Sequence, residues 1–158
     1  MRILFVCLGN ICRSPTAEGV MRHKLREAGL AEEVDVESAG TGGWHVGHPP
    51  DERATAAAGA RGIALESRAQ RFLAEHADEF DLIVAMDREN EADIRSLAPA
   101  AEDKLHLLRE FDPAAVEAGE LEVPDPYYGG DAGFDDVLDM VERACDGLVE
   151  EIRARVER

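Results

Sequence analysis

The first sixteen residues of the chain, MRILFVCLGNICRSPT, constrain its fold more than any other segment. Residues 3–6 form a short run of aliphatic, β-branched and aromatic side chains, which predicts a strand buried on both faces. A loop containing a glycine follows, and Pro15 is well placed as the first residue of a helix, with Ser14 as its cap. We therefore predict a strand, a tight loop and a helix N-terminus, with the thiol of Cys7 at the start of the loop.

The loop between Cys7 and Arg13 has the composition of an oxyanion-binding loop. Gly9 and Asn10 tolerate positive φ, so the backbone N–H groups of the loop can point towards one centre. The helix adds the positive end of its dipole, and the planar fork of Arg13 binds two oxygens at once. The same positive field favours the thiolate form of Cys7, and the Ser14 hydroxyl is placed to hold it. The alternative is a buried structural cysteine beside an unrelated arginine.

Strands and helices alternate along the rest of the chain. Three further strands are predicted over 34–39, 82–85 and 104–108. Helices are predicted over 15–27, 51–61, 71–76, 88–97 and about 134–156, with an irregular stretch over 109–133. This alternation predicts the α/β class, as a single-domain, three-layer α/β/α fold with a parallel, Rossmann-like sheet spanning residues 1–158. Ligands of such sheets bind outside the carboxyl ends of the strands, where Cys7 lies.

Charge and hydropathy argue against several classes of protein. The formal net charge of −17 argues against a nucleic-acid partner, because phosphate backbones recruit Lys and Arg. No apolar run is long enough to span a bilayer, and the N-terminus lacks a signal-peptide pattern, so we expect a cytoplasmic protein with no membrane partner. The acidity indicates ordinary solubility or a high-salt habitat. No Asp or Glu precedes Glu18, so the anion-binding loop has no carboxylate near it in the sequence.

Five segments, in order along the chain, resemble the motifs of the low-molecular-weight protein tyrosine phosphatases. They are residues 6–18, 38–41, 44–47, 86–90 and 124–130. The resemblance implies a four-stranded parallel sheet. It also implies hydrolysis of phosphotyrosine and aryl phosphates through a cysteinyl-phosphate on Cys7, without a cofactor or metal. The phosphate-binding loop would comprise Leu8, Gly9, Asn10, Ile11, Cys12, Arg13 and Ser14.

The resemblance also assigns a polar network that supports the loop. Asn10, Ser14 and Ser38 match residues of that network. Ser67 stands where some members of the family have a histidine, so this part of the network departs from the family pattern.

Asp125 is the candidate general acid. It lies between Pro124 and Pro126, which restrict its backbone, in a stretch long enough to fold back over the loop. The resemblance places the family's proton donor at this aspartate. The alternative is a turn, since Asp-Pro followed by Gly-Gly is common turn chemistry, and both can hold at once.

Aromatic residues predict a deep slot for a phosphorylated ring. Trp44 lies in a glycine-rich loop, and Tyr127 and Tyr128 follow the candidate acid. Aromatic walls stack on a phenyl ring, and the depth of the slot selects phosphotyrosine over the shorter phosphoserine. Leu8 and Ile11 lie in the loop itself and are expected to contact the ring. The alternative for each residue is ordinary packing.

The three cysteines, an odd number, do not indicate a disulfide framework. Cys12 is close enough in sequence to Cys7 to form a disulfide that switches activity off reversibly, and the alternative is a small buried thiol. Cys145, on the last helix, is expected in the core.

An arsenate reductase of the same fold is the nearest competing function, but it needs further cysteines on a mobile segment, and 81–90 contains none. The second competing function is a non-catalytic module that binds phosphotyrosine or another anion. We expect the protein to be a monomer.

Overall fold

Four parallel strands form one sheet, in the order β2–β1–β3–β4, in a computed structural model that describes residues 1–127, 129 and 131–157. The strands are β1 (Arg2–Cys7), β2 (Asp35–Gly40), β3 (Leu82–Ala85) and β4 (Leu105–Leu107). Cys7 pairs with Gly40 at the carboxyl end of β1, and the same end of β3 lies on its other side. The predicted α/β class and four-stranded parallel sheet are confirmed.

Helices cover both faces of the sheet. They are α1 (Arg13–Glu27), α2 (Glu52–Gly59), α3 (His76–Glu79), α4 (Arg88–Leu97), α5 (Pro113–Ala118) and α6 (Asp131–Val156), with 3₁₀ turns at Pro99–Lys104 and Leu108–Phe111. Alternate side chains of β1 point to opposite faces, so Ile3 and Phe5 pack with α1 and α6, whereas Leu4 and Val6 pack with Ile94 of α4. Burial on both faces explains the continuous apolar run in the sequence. Within the described residues, no helix is long and apolar enough to cross a membrane.

Helix α1 begins earlier than predicted, and this change matters for the loop before it. Its N-cap is Cys12, whose side chain makes no capping hydrogen bond, and its first residue is Arg13. The prediction of Ser14 as the cap was therefore wrong, whereas its hydroxyl lies 3.0 Å from the Sγ of Cys7, the residue that it was expected to hold. Pro15 is tolerated because the N–H it lacks belongs to the first turn, where no helical carbonyl would accept it.

The segment between α2 and β3 also departs from the prediction. The helix predicted over 71–76 is wrong, because Arg71 forms a bridge with Gly40 and the Phe72 N–H donates to the Gly40 oxygen at 2.7 Å. The Phe72 side chain is 1 % exposed, and its burial favours this extended course along the end of β2. The helix of this segment is the shorter α3. The chain after α2 consequently runs beside the loop that follows β1.

The stretch predicted to be irregular, 109–133, contains a 3₁₀ turn and helix α5. Asp112 caps α5 by accepting a hydrogen bond from the Ala114 N–H at 3.1 Å, and Gly119 ends it with a φ of 72°. The sequence carries a helix-start signal in Asp112 and Pro113, but a helix of six residues is too short to show a periodic pattern. Helix α6 also begins at Asp131, before the predicted start near 134.

Candidate active site

The thiol of Cys7 lies at the carboxyl end of β1 and faces two hydrogen-bond donors. Its Sγ lies 3.0 Å from Ser14 Oγ, and the Asn10 backbone N–H donates to it at 3.3 Å. The Ser14 oxygen already accepts a bond from Asn10 Nδ2 at 2.7 Å, so its own proton is available to the sulfur. Cys7 is 3 % exposed, so both contacts of its sulfur lie away from bulk water.

Asn10 fixes the shape of the loop. Its φ of 56° makes it the one non-glycine residue with positive φ among those described. Its side-chain amide is fully paired, because Nδ2 donates to Ser14 and, at 2.9 Å, to Ser38 Oγ, while Oδ1 accepts from the Gln70 N–H at 3.0 Å. These bonds hold the backbone in a conformation that costs free energy for most side chains.

The network that joins Asn10, Ser14 and Ser38 is nearly inaccessible to water. The three residues are 1 %, 0 % and 2 % exposed. The segment after α2 reaches this network through Gln70, whose backbone N–H donates to Asn10 Oδ1 and whose Nε2 donates to the Ser38 carbonyl oxygen at 2.9 Å. Ser67 lines a surface cavity that Ser38 and Gln70 also line. Gln70 therefore supports the loop from this side through both its backbone and its side chain.

Two glycines let neighbouring segments approach the loop closely. A Cβ on Gly40, at the end of β2, would lie 2.8 Å from the Leu8 carbonyl oxygen and 3.1 Å from Asn10. A Cβ on Gly9 would lie 3.1 Å from His45 Cδ2. Gly9 does not adopt the predicted positive φ, so close approach is what this position requires.

Arg13 is held across the loop by segments that meet at this edge of the sheet. Its Nη1 donates to the Asp87 carboxylate and, at 3.0 Å, to the Val123 carbonyl oxygen, and its Nη2 lies 3.6 Å from Asp125 Oδ2. The Arg13 side chain is 3 % exposed. Burial opposes the charge of the guanidinium, but the charges of Cys7, Asp87 and Asp125 outweigh it and raise the pKa of Arg13.

Asp87 is a site residue that the sequence did not reveal. It follows β3 and caps α4, where its Oδ1 accepts from the Asn90 N–H at 2.7 Å while Oδ2 binds Arg13. The loop has no carboxylate near it in the sequence, but the fold brings Asp87 and Asp125 to Arg13 from other segments. The available signal was the position of Asp87 just after a buried strand, since the carboxyl ends of parallel strands share one edge.

Asp125 reaches the same centre from the connection between α5 and α6. Its Oδ1 accepts a hydrogen bond from the Tyr127 N–H at 3.0 Å, which closes a tight turn, and its Oδ2 faces Arg13. The side chain is 38 % exposed. The turn and the orientation towards the loop therefore coexist, and the carboxyl group can exchange protons with a ligand and with solvent.

A cavity of about 330 Å³ opens above the loop. Its lining residues are Cys7, Leu8, Gly9, Ile11, Cys12, Arg13, Trp44, His45, Asp125 and Tyr127. Trp44 is 70 % and Tyr127 38 % exposed, so these rings form the rim of the cavity rather than buried walls. The predicted Tyr128 lies outside the described residues. His45 was missed because it was considered only as a metal ligand, although it follows Trp44 in the same loop.

The other two cysteines are buried and free. Cys12 lines the cavity and packs with Ala54 and Phe134. Burial, and then the charges of Asp51 and Cys7, raise the pKa of Cys12 to about 12, so it is a thiol at neutral pH. Cys145 lies in the core at 0 % exposure, and burial raises its pKa as well.

The arrangement combines a cysteine thiol, a buried guanidinium and a partly exposed carboxyl group in one cavity. These are the groups required to transfer a phosphoryl group from oxygen to sulfur and onward to water. Among residues 1–127, 129 and 131–157, no three His, Cys, Asp or Glu side chains are close enough together to hold a metal ion.

Comparison with known proteins identifies the family. Residues 2–158 match the family model described as low molecular weight phosphotyrosine protein phosphatase. The chain belongs to this family. The membership makes it a protein-tyrosine phosphatase, and it extends over the whole of the described fold.

Relatives of this family align with nearly the full chain. A low molecular weight protein-tyrosine-phosphatase of Streptomyces coelicolor is 48 % identical and covers 99 % of this chain and 96 % of its own length. Low molecular weight protein-tyrosine phosphatase A of Mycobacterium tuberculosis is 42 % identical, over 100 % of this chain and 95 % of its own. The crystal structure of a protein tyrosine phosphatase from Entamoeba histolytica, with Hepes in its active site, has a TM-score of 0.92 at 37 % identity, covering 98 % of this chain and 97 % of that one.

Proposed function

We propose that the chain hydrolyses phosphotyrosine in protein substrates by two successive displacements at Cys7. In the first, Sγ attacks phosphorus as the bond from phosphorus to the tyrosine oxygen breaks. Arg13 and the loop N–H groups stabilise the charge on the other phosphoryl oxygens, and Asp125 gives its proton to the leaving oxygen. Tyrosine leaves, and a cysteinyl-phosphate remains.

The second displacement returns the enzyme to its starting state. Asp125, now ionised, takes a proton from a water molecule whose oxygen attacks phosphorus. The bond from sulfur to phosphorus breaks, inorganic phosphate forms, and the electron pair returns to Cys7. The Ser14 hydroxyl, 3.0 Å from Sγ, stabilises the departing thiolate.

The observation that carries this proposal is the convergence of Cys7, Arg13 and Asp125 on one cavity. The nucleophile lies at the bottom, and the carboxyl group lies towards the solvent side. A leaving group that projects out of the cavity therefore passes Asp125, which is where a proton donor is needed.

The rim supports an aromatic substrate. Leu8 and Ile11 contribute apolar surface beside the nucleophile, and Trp44 and Tyr127 offer ring faces at the mouth. We assign Tyr128 to the same rim on the family resemblance. A tyrosine-phosphorylated protein is the proposed partner, and the charge of −17 disfavours nucleic acid. We further propose one catalytic domain over 1–158 that acts as a cytoplasmic monomer without a membrane partner.

Cys12 is proposed to protect the nucleophile under oxidation. Hydrogen peroxide converts the Cys7 thiolate to a sulfenic acid, and the Cys12 sulfur attacks it, forming a disulfide and releasing water. Because the pKa of Cys12 is about 12, only a small fraction is thiolate at neutral pH, and the disulfide forms slowly there. A reducing thiol restores both cysteines.

No observation favours the competing functions. The one cysteine outside the loop, Cys145, is 0 % exposed in the core, which does not suit the mobile thiol of an arsenate reductase. A non-catalytic binding module would not require Asp125 beside the arginine fork.

The proposal is tested with Cys7→Ser and an aryl phosphate at mildly acidic pH. We expect turnover to be lost while inorganic phosphate still binds, because the loop amides and Arg13 remain. Vanadate should inhibit the wild-type enzyme. Retained turnover in the variant would overturn the mechanism, and arsenate-dependent oxidation of a thioredoxin-type reductant would favour the reductase.

A further inference from the structure

Arg53, in the first turn of α2, joins two parts of the active site without lining its cavity. Its Nε lies 3.2 Å from Asp51 Oδ1 and its Nη2 3.3 Å from Asp51 Oδ2, so the fork grips both carboxylate oxygens. The same Nη2 donates to the Tyr127 carbonyl oxygen at 3.0 Å. One guanidinium therefore binds both the start of α2 and the segment that carries the candidate acid.

Two aromatic rings hold the guanidinium in this position. The Arg53 Cζ lies 4.7 Å from the centre of the Phe134 ring and 5.5 Å from that of Tyr127. Phe134 is 4 % exposed and packs with Cys12 at the base of the loop. The hydrogen bond to Asp51 is the main cause that raises the pKa of Arg53, so the side chain stays charged.

The contacts continue from Arg53 in both directions. Towards the nucleophile, the Asp51 N–H donates to the Ile11 carbonyl oxygen at 2.7 Å. Towards the acid, the Tyr127 N–H donates to Asp125 Oδ1 at 3.0 Å. The peptide of Tyr127 is thus bonded at its oxygen by Arg53, while its nitrogen orients the carboxyl group.

We propose that Arg53 is a positioning residue for the general acid: it fixes the segment 125–127 relative to the nucleophile loop. This rests on the proposed function, in which Asp125 protonates the leaving oxygen. Arg53 itself touches neither the phosphoryl group nor the leaving group. A lysine cannot replace it fully, because a single ammonium does not reproduce the planar fork between the two rings.

The test compares kcat/KM of Arg53→Ala on phenyl phosphate and on p-nitrophenyl phosphate. Phenolate is a poor leaving group that needs the proton, whereas p-nitrophenolate needs it far less. We expect a fall of about 10–100-fold for phenyl phosphate, which is part of the 10²–10⁴ that general acid catalysis supplies, and at most about 3-fold for p-nitrophenyl phosphate. The inhibition constant of inorganic phosphate should stay within about 3-fold. In an Asp125→Asn background, Arg53→Ala should add no further dependence on the leaving group.

Arg61→Ala is the matched control. Arg61 lies just after α2 and binds Asp139 at 2.9 Å and Glu142 at 2.7 Å, so it joins the same part of the chain to α6 but not to the segment 125–127. We expect it to keep the wild-type ratio of the two kcat/KM values. Arg53→Lys, which retains the charge and most of the side-chain volume, should give an intermediate ratio and serves if Arg53→Ala does not fold.

Two results would overturn the inference. One is an equal loss on both substrates in the Arg53 variants, which is what a purely structural role predicts. The other is an Arg61→Ala enzyme with the same altered ratio. Both results are independent of the Cys7→Ser experiment, which tests the proposed function itself. Retained turnover in Cys7→Ser would contradict that function, whereas the two results above would contradict only the role of Arg53.

Discussion

The nucleophile loop and the acid segment, 123–127, are held in opposite ways although they meet at one cavity. In the loop, the side chains of Asn10 and Ser14 are at most 1 % exposed, and their hydrogen bonds run to the loop itself, to the adjoining end of the sheet and to the backbone of Gln70. In the acid segment, the Asp125 side chain is 38 % exposed, and the backbone is neither helix nor strand. Longer side chains from other elements, including Arg13 and Arg53, tie it down.

This difference matches what each part does in the proposed mechanism. The nucleophile meets the same phosphoryl group in every substrate, so a rigid geometry fixed before binding lowers the barrier each time. The acid meets leaving groups that arrive with a polypeptide attached, and an accessible segment admits them. Changes in the loop should therefore affect every substrate alike, whereas changes in the acid segment should depend on the leaving group.

Among the changes that distinguish the two regions, the largest effect is expected for Asp125→Asn. Asparagine keeps an oxygen that accepts from the Tyr127 N–H, so the turn is preserved, but it cannot act as a carboxylic acid. We expect kcat/KM for phenyl phosphate to fall by about 10²–10⁴, with a much smaller loss for p-nitrophenyl phosphate. Steady-state kinetics with the two substrates measures the difference.

The same substitution at Asp35 is the control, because that exposed residue begins β2 at the opposite end of the sheet. Asp35→Asn should leave both rates unchanged. Equal losses on the two substrates in Asp125→Asn would contradict the assignment of the acid and, with it, the contrast between the two regions.

A smaller effect is expected for Gly40→Ala, which probes the packing of the loop. The added Cβ would lie 2.8 Å from the Leu8 carbonyl oxygen, and the backbone must shift to accept it. We expect the free energy of unfolding to fall by about 1–3 kcal/mol and kcat/KM to fall by a similar factor for both aryl phosphates. Denaturant unfolding and the same two assays provide the measurements.

Gly59→Ala is the comparison, since its Cβ would meet nothing within 4 Å at the end of α2. Alanine there should leave activity unchanged and stabilise the protein by up to about 1 kcal/mol. A Gly40→Ala enzyme as stable as the wild type would show that the loop tolerates displacement.

The sequence predicts the loop better than the acid segment, because the residues that form the loop are neighbours in the chain, whereas those that hold the acid segment are not. The parts of the loop are close in the chain, so a strand, Asn10 and Arg13 could be interpreted together. Asp125 was recognised through two neighbouring prolines and the family resemblance. The residues that hold it in place were not recognised. Its partners come from distant positions, and no local pattern indicates them.

The residues that were missed share this property. Asp87 binds Arg13 from the end of a neighbouring strand. Gln70 bonds Asn10 through its backbone N–H, which every residue type except proline carries, so the residue type does not indicate this contact. The incorrect helix over 71–76 has a related cause, because pairing of Arg71 with Gly40 overrides the local preference. Of the two roles predicted for Ser14, the cap was wrong, because the helix begins at Arg13, one residue before Ser14.

The smallest effect at neutral pH concerns Cys12, because it appears only in alkaline solution. The pKa of Cys12 is raised from 9.0 to about 12, mainly by burial. Between these values the unfolded chain loses the Cys12 proton while the folded protein keeps it, so the free energy of unfolding falls as pH rises. The stabilisation is complete below about pH 9 and is lost by about pH 12.

In Cys12→Ala the free energy of unfolding should fall less steeply with pH in this range. The slope should differ from that of the wild type by up to about 1.4 kcal/mol per pH unit, which is the contribution of one proton. Cys145→Ala should reduce the slope in the same sense, because burial raises that pKa too. Urea unfolding across this range measures the slopes, and a Cys12→Ala slope equal to that of the wild type would mean that Cys12 ionises normally within the folded loop.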